Sequence, residues 1–154
     1  MKILKFAAIA GVLAVAMLTG CEKSYSPKKL FSEYDYPERT IAEDVVVTTE
    51  FSEYDRSVEK IKLTVINNGD EALWSGEQFY LKKLEDGEWR NVAVGGRFPA
   101  IGYTYDPSTS LTYTATLKDH VKLPLPKGEY RVGFLFERSS EDCDYVSYGE
   151  FTVK

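Results

Sequence analysis

The chain reads as all-β, an antiparallel β-sandwich of about seven strands. Three observations carry that expectation. Between residues 41 and 154 apolar side chains recur with a period of two, turn-forming residues punctuate the runs at short intervals, and no stretch beyond residue 21 holds a convincing 3.6-residue repeat. Threonine, tyrosine and valine, which suit a pleated surface, are abundant throughout this region.

Taken in order, the first strand is expected at Val45, Val47, Thr49 and Phe51 on one face, with Val46, Thr48 and Glu50 on the other. Ile61, Leu63 and Val65 then alternate with Lys60, Lys62 and Thr64, the clearest strand in the sequence. Asn67-Asn68-Gly69-Asp70 supplies residues that tolerate positive φ and ends it in a turn. Leu73 and Trp74 begin a short segment broken at Gly76, after which Phe79 and Leu81 alternate with Tyr80 and Lys82. Glu85-Asp86-Gly87 is a hairpin signal leading into Trp89 to Val94. Five glycines and prolines (Gly95, Gly96, Pro99, Gly102 and Pro107) make residues 95–110 one long connection. Leu111, Tyr113, Ala115 and Leu117 form the next apolar face, with room for one helical turn at residues 117–121. Pro124 and Pro126 bracket a crossing loop, and Lys127-Gly128 turns into Tyr130, Val132, Phe134 and Phe136. A last strand spans about residues 145–153.

Ahead of this region, Met1 to Cys21 has Lys2 and Lys5, an apolar run from Phe6 to Met17, and Leu18-Thr19-Gly20-Cys21. A charged start, a short hydrophobic core and small residues before a break are the parts of a secretory signal peptide. The run is shorter than the ~20 apolar residues of a spanning helix and lacks a basic stop-transfer cluster. Leu18-Thr19-Gly20-Cys21 resembles the lipobox of the bacterial lipoprotein family. That resemblance implies cleavage between Gly20 and Cys21 and lipid on the Cys21 sulfur. It further implies a location at the extracytoplasmic face of a cell membrane, lipid-anchored. Each buried methylene contributes about 0.8 kcal/mol and one chain holds only weakly, so durable attachment needs the multiple acylation that the family implies. Three parts are expected: a signal peptide at 1–20, a flexible lipidated tether at 21–40 and a β-sandwich domain at 41–154.

Cleavage would leave 134 of the 154 residues and remove two of the 19 basic side chains but none of the 24 acidic ones, moving the formal charge from −5 to −7. Phosphate backbones repel such a surface, so no nucleic acid is expected as a partner. Membrane proximity must then come from lipid on Cys21. Both methionines lie in the removed segment and His120 is the only histidine, so neither a Met/His copper site nor a multi-histidine zinc site can be assembled. With Cys21 acylated, Cys143 has no intramolecular partner. Its neighbours Glu141, Asp142 and Asp144 disfavour a thiolate.

Three further segments look like the bacterial immunoglobulin-like domains of exported and lipid-anchored proteins. They are Val65-Ile66-Asn67-Asn68-Gly69-Asp70-Glu71-Ala72-Leu73, Leu81-Lys82-Lys83-Leu84-Glu85-Asp86-Gly87-Glu88-Trp89 and Leu125-Pro126-Lys127-Gly128-Glu129-Tyr130-Arg131. The resemblance covers roughly residues 42–154 and implies an immunoglobulin-like sandwich. It departs at Asp106-Pro107-Ser108-Thr109-Ser110, where such domains place a Pro-Gly turn. It transfers no catalytic residues.

Individual side chains add little chemistry. Tyr130 is expected to form a tyrosine corner, its ring buried and its hydroxyl returned to a backbone group. Trp74 and Trp89 are expected to fill core or sheet-edge space, and Arg131, Glu137 and Arg138 to be outward strand charges. His120 reads as a solvated loop histidine with no nucleophile motif beside it. Phe31-Ser32-Glu33-Tyr34-Asp35 recurs as Phe51-Ser52-Glu53-Tyr54-Asp55 without shared flanks, so no duplicated unit is expected. Glu141-Asp142-Cys143-Asp144 is oxygen-rich but lacks the alternating Asp and Gly spacing of calcium loops. We therefore expect no enzyme, no cofactor and no metal site. The favoured function is a binding or interaction module at the cell envelope that meets a protein or glycan around Tyr103 and Tyr105. The alternative is an inhibitor or regulator of an exported protease or peptidoglycan hydrolase.

Overall fold

A computed structural model describes residues 27–33, 39–139 and 144–154. The signal peptide, Gly20, Cys21, Tyr34 and residues 141–143 lie outside the described residues. Eleven strand segments and one helical turn follow in order: β1 (Thr40–Ile41), β2 (Val45–Thr49), β3 (Glu53–Tyr54), β4 (Lys60–Asn67), β5 (Leu73–Gly76), β6 (Phe79–Glu85), β7 (Glu88–Asn91), β8 (Gly102–Tyr105), β9 (Thr109–Thr116), α1 (Leu117–His120), β10 (Gly128–Arg138) and β11 (Asp144–Val153). They form two sheets. The smaller runs β2-β4-β9; the larger runs β1-β11-β10-β5-β8, with β6 also on β10, β7 on β6 and β3 on β11. The all-β sandwich is as expected.

Alternation dictates the layers, because a period of two sends successive side chains to opposite faces. Tyr130, Val132, Phe134 and Phe136 of β10 point inward with Phe151 and Val153 of β11. They meet Ile61, Leu63 and Val65 of β4 and Ala115 of β9, all essentially inaccessible. Tyr130 stacks on Phe151 at 5.5 Å and donates its hydroxyl to the Pro126 carbonyl at 2.7 Å, the expected corner. Asp86 and Gly87, at φ 52° and 84°, make the two-residue turn between β6 and β7.

One side of the sandwich is sealed by a strand that changes sheets. β1 and β3 pair in parallel with opposite ends of β11, while β2 between them joins β4 in the other sheet. Ser147 donates to the Val45 carbonyl at 2.7 Å, and Val47 O lies 3.1 Å from where a Cβ on Gly149 would stand. A side chain at residue 149 would press β2 away by a few tenths of an ångström. Residues 30–32, within the stretch read as tether, also lie along the fold: Ser32 N–H donates to Asn91 O and Ala93 N–H to Leu30 O.

Several expectations are corrected. Residues 95–110 are not one connection, because Gly102–Tyr105 is a strand on β5; its Tyr-Thr-Tyr alternation outweighs the glycine and prolines around it. β2 stops at Thr49, and Phe51 is 59% exposed rather than in line with Val45 and Val47. None of Asn67, Asn68, Gly69 and Asp70 adopts positive φ. That turn is held instead by the Asn67 side chain, fully buried, which donates to Glu71 O at 2.8 Å and Tyr105 O at 2.9 Å and accepts from Gly69 N–H at 2.9 Å. His120 is not a solvated loop residue. It ends α1, stacks on Phe98 at 4.0 Å and has Nδ1 2.8 Å from Gly95 O.

Two measurements follow from this packing. Asn67→Ala leaves two carbonyls and an amide without their partner, and should cost about 2–3 kcal/mol in denaturant unfolding. Burial raises the Tyr105 phenol from 10.0 to about 12 and pushes Tyr113 and Tyr130 further the same way. The folded state thus prefers neutral phenols, so their contribution is complete below pH 10 and declines as pH rises through 12. The denaturation midpoint should fall across that alkaline range, and less steeply in Tyr105→Phe.

Candidate functional site

The two sides of the larger sheet end differently. Where β11 is sealed, β8 is an edge strand, paired with β5 alone. Leu73 and Ser75 of β5 point inward and are buried, so alternation turns Trp74 outward. Trp74 is 46% exposed, so of core and sheet-edge space it takes the sheet edge. Its indole lies across Gly102, where any Cβ would collide with the ring's Nε1, Cε2 and Cζ2. The absence of a side chain at residue 102 lets the ring lie flat on the sheet. On this ledge Thr104 faces Trp74 across β8 and Glu137 faces it across β10.

The ledge is pinned from beneath. Tyr103 donates its hydroxyl to Glu77 Oε1 at 2.7 Å, and Tyr113 donates to the Glu77 carbonyl at 2.6 Å. The Glu77 hydrogen bond, with burial, raises the Tyr103 phenol above its ordinary value. Tyr113 packs edge-on against Phe134 at 4.7 Å, and Tyr105, 2% exposed, against Phe136 at 5.7 Å. Of the two tyrosines expected to make contacts, Tyr105 is therefore core and Tyr103 is a half-buried support. The exposed aromatic of this region is Trp74. Period two at Leu73-Trp74-Ser75 was a usable signal, but a serine on the buried face concealed it.

A second aromatic group lies on the outer face of the same sheet. Arg131 is not simply an outward charge: its guanidinium sits 4.7 Å from the Trp89 ring and 4.2 Å from the Tyr148 ring. This ladder ties β7, β10 and β11 together by cation–π contact. Arg138 is likewise engaged, pairing with Asp44 and lying 4.7 Å from Tyr145. Glu137 is exposed as expected.

Catalytic chemistry finds little support here. His120 is held by Phe98 and Gly95, and among the described residues no group of three or more His, Cys, Asp or Glu is placed to hold a metal. Asp144 pairs with Arg39 at 3.2 Å; the other residues weighed for calcium, Glu141 and Asp142, lie outside the described residues. The concavity lined by Gln78, Tyr80, Asn91 and Val94 is too small for a ligand. The two copies of the Phe-Ser-Glu-Tyr-Asp repeat have unlike surroundings: Phe31 lies under Arg90 and bridges to Val92, whereas Tyr54 packs on Phe51 and Phe151. No helix among the described residues is long and apolar enough to cross a membrane.

A family model described as bacterial Ig-like domain matches residues 42–147, and the chain belongs to that family. A search of curated proteins returns no match. Among solved structures, similarity extends to the sporulation control protein Spo0M of Bacillus subtilis, with 17% identity over 72% of this chain and 49% of that one, at a TM-score of 0.42. It extends also to a β-glucosidase from Erythrobacter marinus, with 14% identity, 70% and 15% coverage and a TM-score of 0.39. The PapD-like domain 7 of human CEP192 is a third, with 13% identity, 84% and 95% coverage and a TM-score of 0.38. The chain thus spans about half of Spo0M and a small part of the glucosidase. Likenesses this distant carry no functional argument. The immunoglobulin-like fold marks an interaction module.

The exposure of Trp74 sets a clear expectation. Trp74→Ala should cost less than about 1 kcal/mol in urea unfolding, as surface substitutions do, and a loss above about 3 kcal/mol would place the ring in the core. Gly102→Val should lift the indole and shift its fluorescence to the red.

Proposed function

We propose that this protein is a lipid-anchored interaction module on the extracytoplasmic face of a cell membrane, held through Cys21 and making contact through the β5–β8 ledge. The observation that carries the contact surface is the exposed indole of Trp74, held flat over Gly102 at the edge of the larger sheet. Tyr105 and Tyr130, by contrast, are buried. A large ring kept in water on a rigid support is a usual feature of binding surfaces.

The anchor is supported by Leu18-Thr19-Gly20-Cys21 behind a short apolar run. An acidic chain has no electrostatic attraction to anionic lipid heads, so acyl chains on Cys21 supply the attachment.

Cell fractionation tests the anchor. Cys21→Ser should move the protein out of the membrane fraction or leave the precursor uncut; a processed serine variant still retained with membranes refutes it. Trp74→Ala, by contrast, should keep membrane retention and lose cross-linking to envelope components.

A further inference from the structure

Resting on the reading of the ledge as the contact surface, we infer that it takes an extended polypeptide strand of neutral or basic character, added to the open edge of β8. Residues 40–54 close the sandwich on the β11 side, but among the described residues nothing comparable closes the other. There the larger sheet ends in β8 and the smaller in β9, joined by a turn in which Thr109 N–H donates to Asp106 O. Among the described residues, the far edge of β8 has no backbone hydrogen-bond partner. Four residues offer roughly 13 Å of such edge.

Sheet edges are ordinarily protected by a charge, a proline, a bulge or a covering segment. Neither Gly102-Tyr103-Thr104-Tyr105 nor Thr109-Ser110-Leu111-Thr112-Tyr113-Thr114-Ala115-Thr116 contains a charge or a proline. Leu111 makes the gap visible. It lies opposite Val65, on the inner face with Tyr113 and Ala115, yet is 38% exposed because no strand among the described residues lies beyond β9. A strand laid along β8 would direct alternate side chains over Trp74 on the outer face and toward Leu111 on the inner. Main-chain hydrogen bonds would supply affinity and these side chains selectivity.

Charge narrows the occupant. Glu137 flanks Trp74 and Asp106 ends β8 in a chain of net charge −5. Two copies brought edge to edge would repel, whereas a neutral or basic strand is attracted. A sugar could stack on Trp74, but it would leave the row of peptide groups along β8 unmatched.

The test is amide hydrogen exchange on the full mature chain in detergent micelles, with synthetic eight-residue peptides alternating valine with lysine, or valine with glutamate, and an N-acetylglucosamine oligosaccharide as probes. The valine–lysine peptide should slow exchange at residues 102–105 by roughly tenfold, and the valine–glutamate peptide should not. Thr104→Lys and, separately, Leu111→Lys should abolish that protection while amides of β10 and β11 stay protected, showing the variants folded. The inference is overturned by no protection with the valine–lysine peptide, or by equal protection with both peptides or in both variants. Protection that rises with protein concentration alone, identifying a second copy, or a Trp74 fluorescence response to the oligosaccharide with β8 unaffected, also overturns it. Failure of the anchor reading appears separately, as membrane retention of processed Cys21→Ser, and leaves the exchange result intact.

Discussion

The uninterrupted register between β10 and β11, from Gly128↔Val153 to Glu137↔Asp144, is the constraint on which the rest hangs. A slip of one residue would turn Tyr130, Val132, Phe134 and Phe136 to water and Arg131 and Glu137 into the core. The pair is secured at one end and along its outer face. At one end the Tyr130 hydroxyl holds the Pro126 carbonyl, and along the face Arg131 is gripped by rings from β7 and β11. β1, the hairpin β6–β7 and the ledge are all placed by pairing to these two strands.

From that axis the domain is closed asymmetrically. On the β11 side the chain changes sheets between β1 and β3, and Gly149 lets β2 approach near enough for Ser147 to reach Val45. On the β8 side, closure is left to tyrosines: Tyr103 and Tyr113 meet at Glu77, and Asn67 gathers the carbonyls of Glu71 and Tyr105. Buried hydroxyl and amide groups with fixed partners hold an edge strand in place without covering its backbone. Rigidity and an open edge among the described residues therefore coexist.

Much of this was legible in advance. The alternation of Ile61, Leu63 and Val65, the Asp86-Gly87 turn and the Gly128-Glu129-Tyr130 corner all have the predicted form, because each depends on neighbours within a few residues. The misreadings share a cause. β8 was hidden among glycines and prolines that describe its flanks, and its strand character comes from pairing with a segment some thirty residues earlier. His120 looked solvated because its partner Phe98 is distant in sequence. The first-strand face was extended to Phe51, although the chain leaves the smaller sheet after Thr49 to rejoin β11.

Period, turn chemistry and composition were enough to dictate an all-β sandwich, its main inward faces and an acidic surface, since these follow from the chain's own side chains and their spacing. The residues that present a surface were decided only by non-local packing. Trp74 is exposed because Ser75 faces the core beside it and Gly102, from another strand, offers a flat bed for the indole. Tyr105 is buried because Phe136 and Asn67 meet it there. Which of two tyrosines or two tryptophans reaches solvent is a matter of what the opposite strand supplies, and that is set by register rather than by local sequence.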